Sequence, residues 1–504
     1  MNILHNPFFS VTSGTSTGRV TLPELLAALG DDSRNLELPA VPVHSQHVLH
    51  VFLCQLAAMG IARAGKGGVA HPVEDWTDML LALAPEHPTA WELVVEDPTQ
   101  CAFFQVPSAD GFSDYRAELD GIEYLEPLTI GRTHDVKRYR TADADPEQWI
   151  YALVSGQTSG GYFCPKSVEV MRMNKGTGTR TVTGVYSRLD PGTKFREDVV
   201  RLLTRDSSIA DAYGFDTAGH CLLWTLPWNG ATQIRLGSLH PFVVEVCRRV
   251  RIHTVGGRLV LTRGNCDEPR IAGQKELCGV VGDPWTIIVD GEELKSLSLS
   301  EAGFRAGMIS QLLRRDGYRQ PCLMEELPAG TDVYLELAGL ARTKGKTAGF
   351  HHRVFQIPGR VARALFTMDP AVEEERHRYS RRSLMGADVC KRVRGAGLEA
   401  IECLLYPTNP SKKPRRAEHQ SFELALNRFE DTELLSGVFE SLDDPSDTTY
   451  EQRWVEQCLS WLRTYIAQAE GTLCPRQQLR YQARVAAERV IQTLKNSFSA
   501  KRRG

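Results

Sequence analysis

Three loops far apart in the chain share one chemistry: glycine for close backbone approach, with lysine or arginine nearby. They are Ser155-Gly156-Gln157-Thr158-Ser159-Gly160-Gly161, Gln274-Lys275-Glu276-Leu277-Cys278-Gly279 and Arg342-Thr343-Lys344-Gly345-Lys346-Thr347. Glycine lets a polyanion come close to the main chain, and the cation neutralises it. No acids, bases or metal ligands of an enzyme accompany these loops. The combination implies a chain that holds nucleic acid and does not cut it.

Other constellations admit blander readings. Asn174-Lys175-Gly176-Thr177-Gly178-Thr179-Arg180 offers backbone N–H groups and cations to a phosphate, and a plain hairpin turn accounts for it equally well. The run holding Arg132, His134, Lys137, Arg138 and Arg140 is a basic loop or a solvated charge run. Lys344-Gly345-Lys346-Thr347 invites a phosphate-binding P-loop, but five residues separate Gly339 from Gly345 where that pattern needs four. The flanking strand-like runs Tyr334–Leu337 and Val354–Ile357 fit a β-hairpin with a basic tip. His134-Asp135 lacks the further ligands of a metal phosphohydrolase. His351 and His352 are adjacent, so on a strand they face opposite sides and do not share an ion. No nucleophile elbow is present.

The 504 residues exceed one core and imply two or three domains. The net charge is −3, so any polyanion site must be local. One local excess is clear: from Thr472 onward eight basic residues face one acid, Glu488. Twelve cysteines are scattered without a Cys-x-x-Cys pair, which excludes a disulfide frame or a zinc knuckle. The first residues lack the regions of a signal peptide, and the apolar run Val48–Ala62 is too short for a bilayer. A cytoplasmic protein without a membrane partner is the expectation.

The elements that must position these loops follow from periodicity and caps. A strand at Phe8–Val11 precedes a helix whose Thr21 and Glu24 form a capping box and which Gly30 ends. A second helix runs from about Ser45 to Ala64. Strand-like runs follow at Thr181–Tyr186, Leu259–Thr262, Trp285–Val289 and Val333–Ala338, with a helix at Phe304–Arg315. Strands and helices do not alternate regularly, which argues for α+β. After Asp369-Pro370 the pattern is helical: Ala371–Val393, Leu398–Leu405, Glu418–Leu442, Thr449–Ala469 and Arg476–Ser497. The expectation is a mixed domain over 1–369 followed by a four-helix bundle over 370–504. On its last helix Leu479, Ala483, Ala486, Val490 and Leu494 form one face, and Arg476, Arg480 and Arg484 another.

Taken in order, these pieces resemble CasA, the large subunit of the type I-E CRISPR Cascade complex. The resemblance covers essentially the whole chain. It rests on Asn2-Ile3-Leu4-His5-Asn6-Pro7-Phe8-Phe9-Ser10-Val11, on Phe103-Phe104-Gln105-Val106, on Gly282-Asp283-Pro284-Trp285, on the glycine loop after a helix and on the terminal bundle. It implies a non-enzymatic subunit that reads the protospacer-adjacent motif through the minor groove, helps open the target duplex and holds DNA for R-loop formation.

Under that resemblance Gly160 and Gly161 are the glycine loop and Lys275 the lysine contact. Lys344, Gly345, Lys346 and Thr347 form the wedge, with Lys346 where the family carries glutamine. Arg132 to Arg140 is similar to the loop that docks on the crRNA 5′ end and the backbone subunits. Asn174, Lys175 and the basic face of the last helix are further DNA contacts. The implied partners are crRNA, other Cascade subunits and double-stranded target DNA. The family also suggests recruitment of a helicase-nuclease, but no residue set here carries that over. The cysteine pair that some members place near the lysine is absent, so no zinc and no cofactor are expected. Two alternatives stand beside this reading: a metal-dependent nucleic-acid phosphohydrolase, and a scaffold without DNA contact.

Overall fold

The capping box holds as expected. Thr21 accepts from the Glu24 amide at 3.3 Å, the Glu24 carboxylate accepts from the Thr21 amide at 2.7 Å, and the helix runs Leu22–Gly30. The computed structural model describes residues 1–500 except 34, 110, 112, 114, 117–118, 126–143, 162–165, 177, 326–330, 344–345, 368, 409–415, 445–447 and 475.

The chain divides into two compact units. One comprises Met1–Phe304, Gly317–Glu326 and Val333–Phe355; the other comprises Arg305–Asp316, Leu327–Asp332 and Gln356–Gly504. The observed division is therefore not a single cut at 369. The helix Ala306–Arg314 belongs with the bundle because Asp431, on a bundle helix, takes the Ala306 amide at 2.8 Å and Arg305 at 3.1 Å.

The first unit is mixed. Its core helix Gln46–Ala64 ends at Gly65, which adopts the left-handed conformation that glycine tolerates. With the short turn before it, the apolar segment Val43–Ala64 reaches 22 residues, longer than the sequence reading allowed. It is long and apolar enough to cross a membrane by length alone, but 78% of its apolar window is buried inside the protein. Core packing, not shortness, explains its apolarity.

The strands form small sheets. Lys346–Ile357, Val333–Thr343 and Val182–Tyr186 lie in that order in one sheet. Val333–Thr343 runs antiparallel to Val182–Tyr186, with Tyr334 opposite Tyr186 and Ala338 opposite Val182. Val250–Val255 pairs with Arg258–Arg263. The strand expected at Trp285–Val289 begins only at Ile288. Trp285 is instead a buried anchor, its indole N–H donating to Asp198 at 2.7 Å.

The second unit is the expected helical bundle: Glu373–Leu405, Arg416–Asp443, Tyr450–Leu473 and Gln477–Ala500. The two stretches expected around Gly395-Ala396-Gly397 are one helix of 33 residues. The helix runs through Gly397, where a Cβ would run into the Phe422 ring of the facing helix, so glycine is needed there for packing. Phe429 stacks on both Trp454 and Trp461, and the Trp454 indole donates to the Gly386 carbonyl at 3.2 Å.

Candidate nucleic-acid interface

The helix Pro146–Thr158 carries the first glycine loop on its C-terminal end. A buried amide fixes that end. Gln157 donates to the carbonyls of Phe104 at 2.9 Å and Arg248 at 3.0 Å, and accepts from the Arg248 amide at 2.8 Å. Arg248 in turn donates to the Gly161 carbonyl at 3.2 Å. A Cβ on Gly160 would fall on the Arg248 guanidinium, and one on Gly161 would lie 2.6 Å from the Gly178 carbonyl and 2.7 Å from that of Gly176. Both glycines are buried. Their freedom from a side chain therefore serves close approach within the protein itself, where the sequence reading assigned it to an incoming polyanion.

That packing stitches the separate loops together. Gly161 donates to the Gly178 carbonyl at 3.0 Å, so the first glycine loop meets the Asn174–Arg180 turn. Thr179 donates to the Leu340 carbonyl at 3.0 Å, and the Leu340 amide returns a bond to the Thr179 hydroxyl at 2.9 Å. Leu340 lies in the first strand of the long hairpin, and Thr343 ends that strand roughly 10 Å further on, three residues at about 3.3 Å each. The Lys275 loop joins from another side. A Cβ on Gly279 would lie 2.8 Å from the Met173 backbone, and Gln274 donates to the Glu169 carbonyl at 2.7 Å. Loops separated by more than a hundred residues thus form one junction.

The cations around it differ in freedom. Lys175 is exposed and sits at φ 39°, an unusual conformation for a residue with a side chain. Asn174 is half-buried, and its carbonyl accepts from Ser298 at 3.4 Å. Lys275 is exposed, on a single helical turn Gln274–Leu277, and lies 3.5 Å from Glu268. An exposed pair of this kind contributes about 0–1 kcal/mol, so a phosphate can replace the carboxylate. Arg180 is not available: it is buried, paired with Asp283 and set over the Trp285 ring. Burial alone would lift the Asp283 carboxyl, but Arg180 and Arg172 hold it below its usual range. The Gly282-Asp283-Pro284-Trp285 stretch thus anchors the strand behind the junction.

At the hairpin tip, Lys344 and Gly345 lie outside the described residues. Lys346 opens the returning strand, and Thr347 is half-buried within it. Ala348 to His352 continue that strand, so no helix N-terminus follows the tip and the P-loop reading falls. Arg132, His134, Lys137, Arg138 and Arg140 also lie outside the described residues.

His351 and His352 occupy opposite faces, as expected, and His352 lies 2.8 Å from Glu336. Burial would raise the Glu336 carboxyl, but the hydrogen bond from His352 and the charge of Lys194 hold it at about 2. Among the described residues one His/Cys/Asp group could face an ion: His50, Cys54 and Asp198, with ligand atoms within 4.8 Å of one another. Asp198 already takes His50 at 2.8 Å, Trp285 at 2.7 Å and the Tyr186 hydroxyl at 3.0 Å. Burial and the Asp198 charge push the Cys54 thiol well above its usual value. In this arrangement the three side chains act as a hydrogen-bonding hub, with Asp198 as its acceptor.

In the bundle the arginine row is not uniform. Arg476 and Arg484 are exposed, and Arg484 lies 3.8 Å from Glu470. Arg480 donates to the Cys474 carbonyl at 2.8 Å and to that of Gly471 at 3.4 Å, closing the end of the preceding helix. The buried face of the last helix is Ala483, Ala487, Ile491, Leu494 and Phe498. It is rotated from the expected stripe, and Leu479, Ala486 and Val490 sit at its margin.

The sequence reading missed Arg248. Its only signal was the Arg248-Arg249 pair beside an apolar run, which reads as surface charge. Gln105 also has a structural role: it donates to the Leu93 carbonyl at 2.8 Å and accepts from the Ile252 amide at 2.7 Å.

No family model matches the sequence, and no curated protein does. Solved structures do. The chain is similar to Thermus thermophilus CasA (Cse1), at 14% identity over 99% of both chains with a TM-score of 0.60. It is also similar to the CRISPR-associated protein Cse1 from Acidimicrobium ferrooxidans, at 13% identity over 99% of both chains and a TM-score of 0.61. Thermobifida fusca Cse1 matches at 12% identity over 98% of this chain and 97% of its own, with a TM-score of 0.61. At these identities the likeness establishes the fold alone: a mixed domain followed by a helical bundle, the CasA/Cse1 fold.

Proposed function

We propose that this chain is the large, CasA-type subunit of a type I-E CRISPR surveillance complex, and that it recognises target DNA without cutting it. The fold supports this by analogy. The observation that carries it is the junction: backbone hydrogen bonds join the glycine loop, the Asn174-Lys175 turn and the strand leading to the hairpin tip, and the Lys275 turn packs on Met173 with Gln274 donating to the Glu169 carbonyl.

In this reading Lys175 and Lys275 contact phosphate or the minor-groove edge, where readout is degenerate and depends on close approach. The hairpin with Lys346 enters the duplex as a wedge, at a cost of roughly a few kcal/mol per unstacked step. Exchange of DNA pairing for guide pairing is nearly balanced, so a local opening nucleates it. The basic loop at 132–140 docks on crRNA and the backbone subunits. Arg476 and Arg484 hold DNA electrostatically. Lys346 in place of glutamine adds a charge to the wedge, which strengthens attraction to phosphate at the expense of amide readout.

The test uses the complex reconstituted with its partner subunits and crRNA. Lys275→Ala and Lys346→Ala should each weaken target-duplex binding about tenfold, the scale of one lost contact of 1–3 kcal/mol. Wild-type affinity in both variants would remove the site assignment. Metal-dependent cleavage by the isolated chain, lost on changing His134, would replace the proposal with the phosphohydrolase reading.

A further inference from the structure

The mixed unit contains a pocket of about 390 Å³ whose wall includes Ser108, Trp228, Asn229, Thr232 and Arg270. Two of these are deeply buried donors. Arg270 is 3% exposed and Trp228 is 1% exposed, and neither Arg270 Nε nor Trp228 Nε1 has a hydrogen-bond partner. The Arg270 guanidinium lies over the Trp228 ring, 5.2 Å from its centroid, and gives one bond to the Leu226 carbonyl at 3.1 Å.

Among the described residues, no carboxylate pairs with Arg270. The acids nearest in sequence are engaged elsewhere, Asp267 with Lys166 and Glu268 with Lys275. Burial lowers Arg270 to about 10, so it remains a cation at neutral pH. A buried guanidinium without a counter-charge is strongly unfavourable, and buried donors in folded proteins are otherwise satisfied. Among the described residues none supplies the missing acceptor, and the pocket beside these donors gives an outside one access.

The pocket walls are fixed. Gly230 sits at φ 89° and accepts from the Asp267 amide at 2.8 Å, while the Ile234 amide donates to the Arg270 carbonyl at 2.9 Å. Asn229 Oδ1 takes the amides of Ala231 at 3.0 Å and Thr232 at 2.8 Å, which leaves its Nδ2 as a donor. Guanidinium, indole, amide and hydroxyl groups thus line one space. A tetrahedral oxyanion accepts more bonds from such a set than a planar carboxylate does.

We propose that this pocket binds a phosphate group, free or carried as a monoester, between Arg270 and the Trp228 indole N–H. This is independent of the nucleic-acid interface, and its failure would leave that reading intact. The experiment titrates the purified full chain by calorimetry with inorganic phosphate, adenosine monophosphate and acetate, at ionic strength matched with sodium chloride. Phosphate should bind, and Arg270→Gln should lose at least tenfold in affinity. Because Arg270→Gln can perturb folding, Trp228→Phe is the second variant. It keeps an aromatic face for Arg270 but removes the N–H along with the rest of the pyrrole ring, and should lose about threefold or more while its circular dichroism stays unchanged.

Tighter binding of adenosine monophosphate than of phosphate assigns the site to a nucleotide-borne group; binding of phosphate alone assigns it to the free ion. Absence of binding by both, acetate binding as tightly as phosphate, or wild-type affinity in a folded Trp228→Phe overturns the proposal.

Discussion

The junction in the mixed unit and the last helix of the bundle both carry cations, but they hold them differently. At the junction Lys175 and Lys275 project from turns whose backbone is locked by buried partners: Gly161 to Gly178, Thr179 to Leu340, Gly279 against Met173. On the bundle helix the arginines share a regular surface, and one of them has internal work. Arg480 closes the preceding helix and Arg484 lies beside Glu470. A row of charge at helical spacing is thus a weak guide to a site, whereas a cation in a turn that the rest of the fold holds rigid is a strong one.

The largest effect expected from breaking this contrast is at the anchor behind the junction. Asp283→Ala leaves the Arg180 guanidinium buried without its partner and should cost about 3–5 kcal/mol by urea denaturation. Next is Gly161→Ala, whose Cβ would lie 2.6 Å from the Gly178 carbonyl, a backbone atom that cannot swing away; about 1–3 kcal/mol should be lost.

The same sheet predicts an acid limb. Glu336 titrates at about 2 in the folded protein against an ordinary 4.5, so the stability it supplies is complete above about 4.5 and disappears as pH falls toward 2. Glu336→Gln should flatten that part of the stability–pH profile. In the bundle two glycines two residues apart should differ in sign. Gly397→Ala meets the Phe422 ring and should cost about 1–3 kcal/mol. Gly395→Ala meets nothing within 4 Å and should add up to about 1 kcal/mol. The smallest effect is on the arginine row: Arg480→Ala should lose about 1 kcal/mol with its carbonyl bonds, and Arg484→Ala within about 0.5 kcal/mol. Equal losses for those two would remove the distinction between a capping arginine and a surface one.

Local signals made much of the fold legible. The Thr21–Glu24 box, the Gly65 stop, the hairpin and the helices of the bundle all announce themselves within a few residues. The boundary between units did not, because Ala306–Arg314 joins the bundle through Asp431, over a hundred residues away. Nor did continuity through Gly395 and Gly397, since the reason for Gly397 is a ring on another helix. At the candidate site the turns themselves were visible as glycine beside lysine. Their purpose was half visible: Gly160 and Gly161 are glycine because Arg248, Gly176 and Gly178 crowd them, and no spacing rule encodes those neighbours. The discrimination between Lys275, exposed, and Arg180, buried against Asp283, likewise required the fold.

The central claim is that the rigid turns grip the target duplex more strongly than the helical charge row does. The direct measurement is duplex affinity of the reconstituted complex across a salt series, for the Lys175→Ala/Lys275→Ala double variant and for Arg476→Ala/Arg484→Ala. Removing two phosphate contacts should lower the slope of log affinity against log salt by about 2. The turn variant should show that loss with an affinity drop of about a hundredfold, and the helix variant a smaller one. An unchanged slope and affinity in the turn variant would contradict the account.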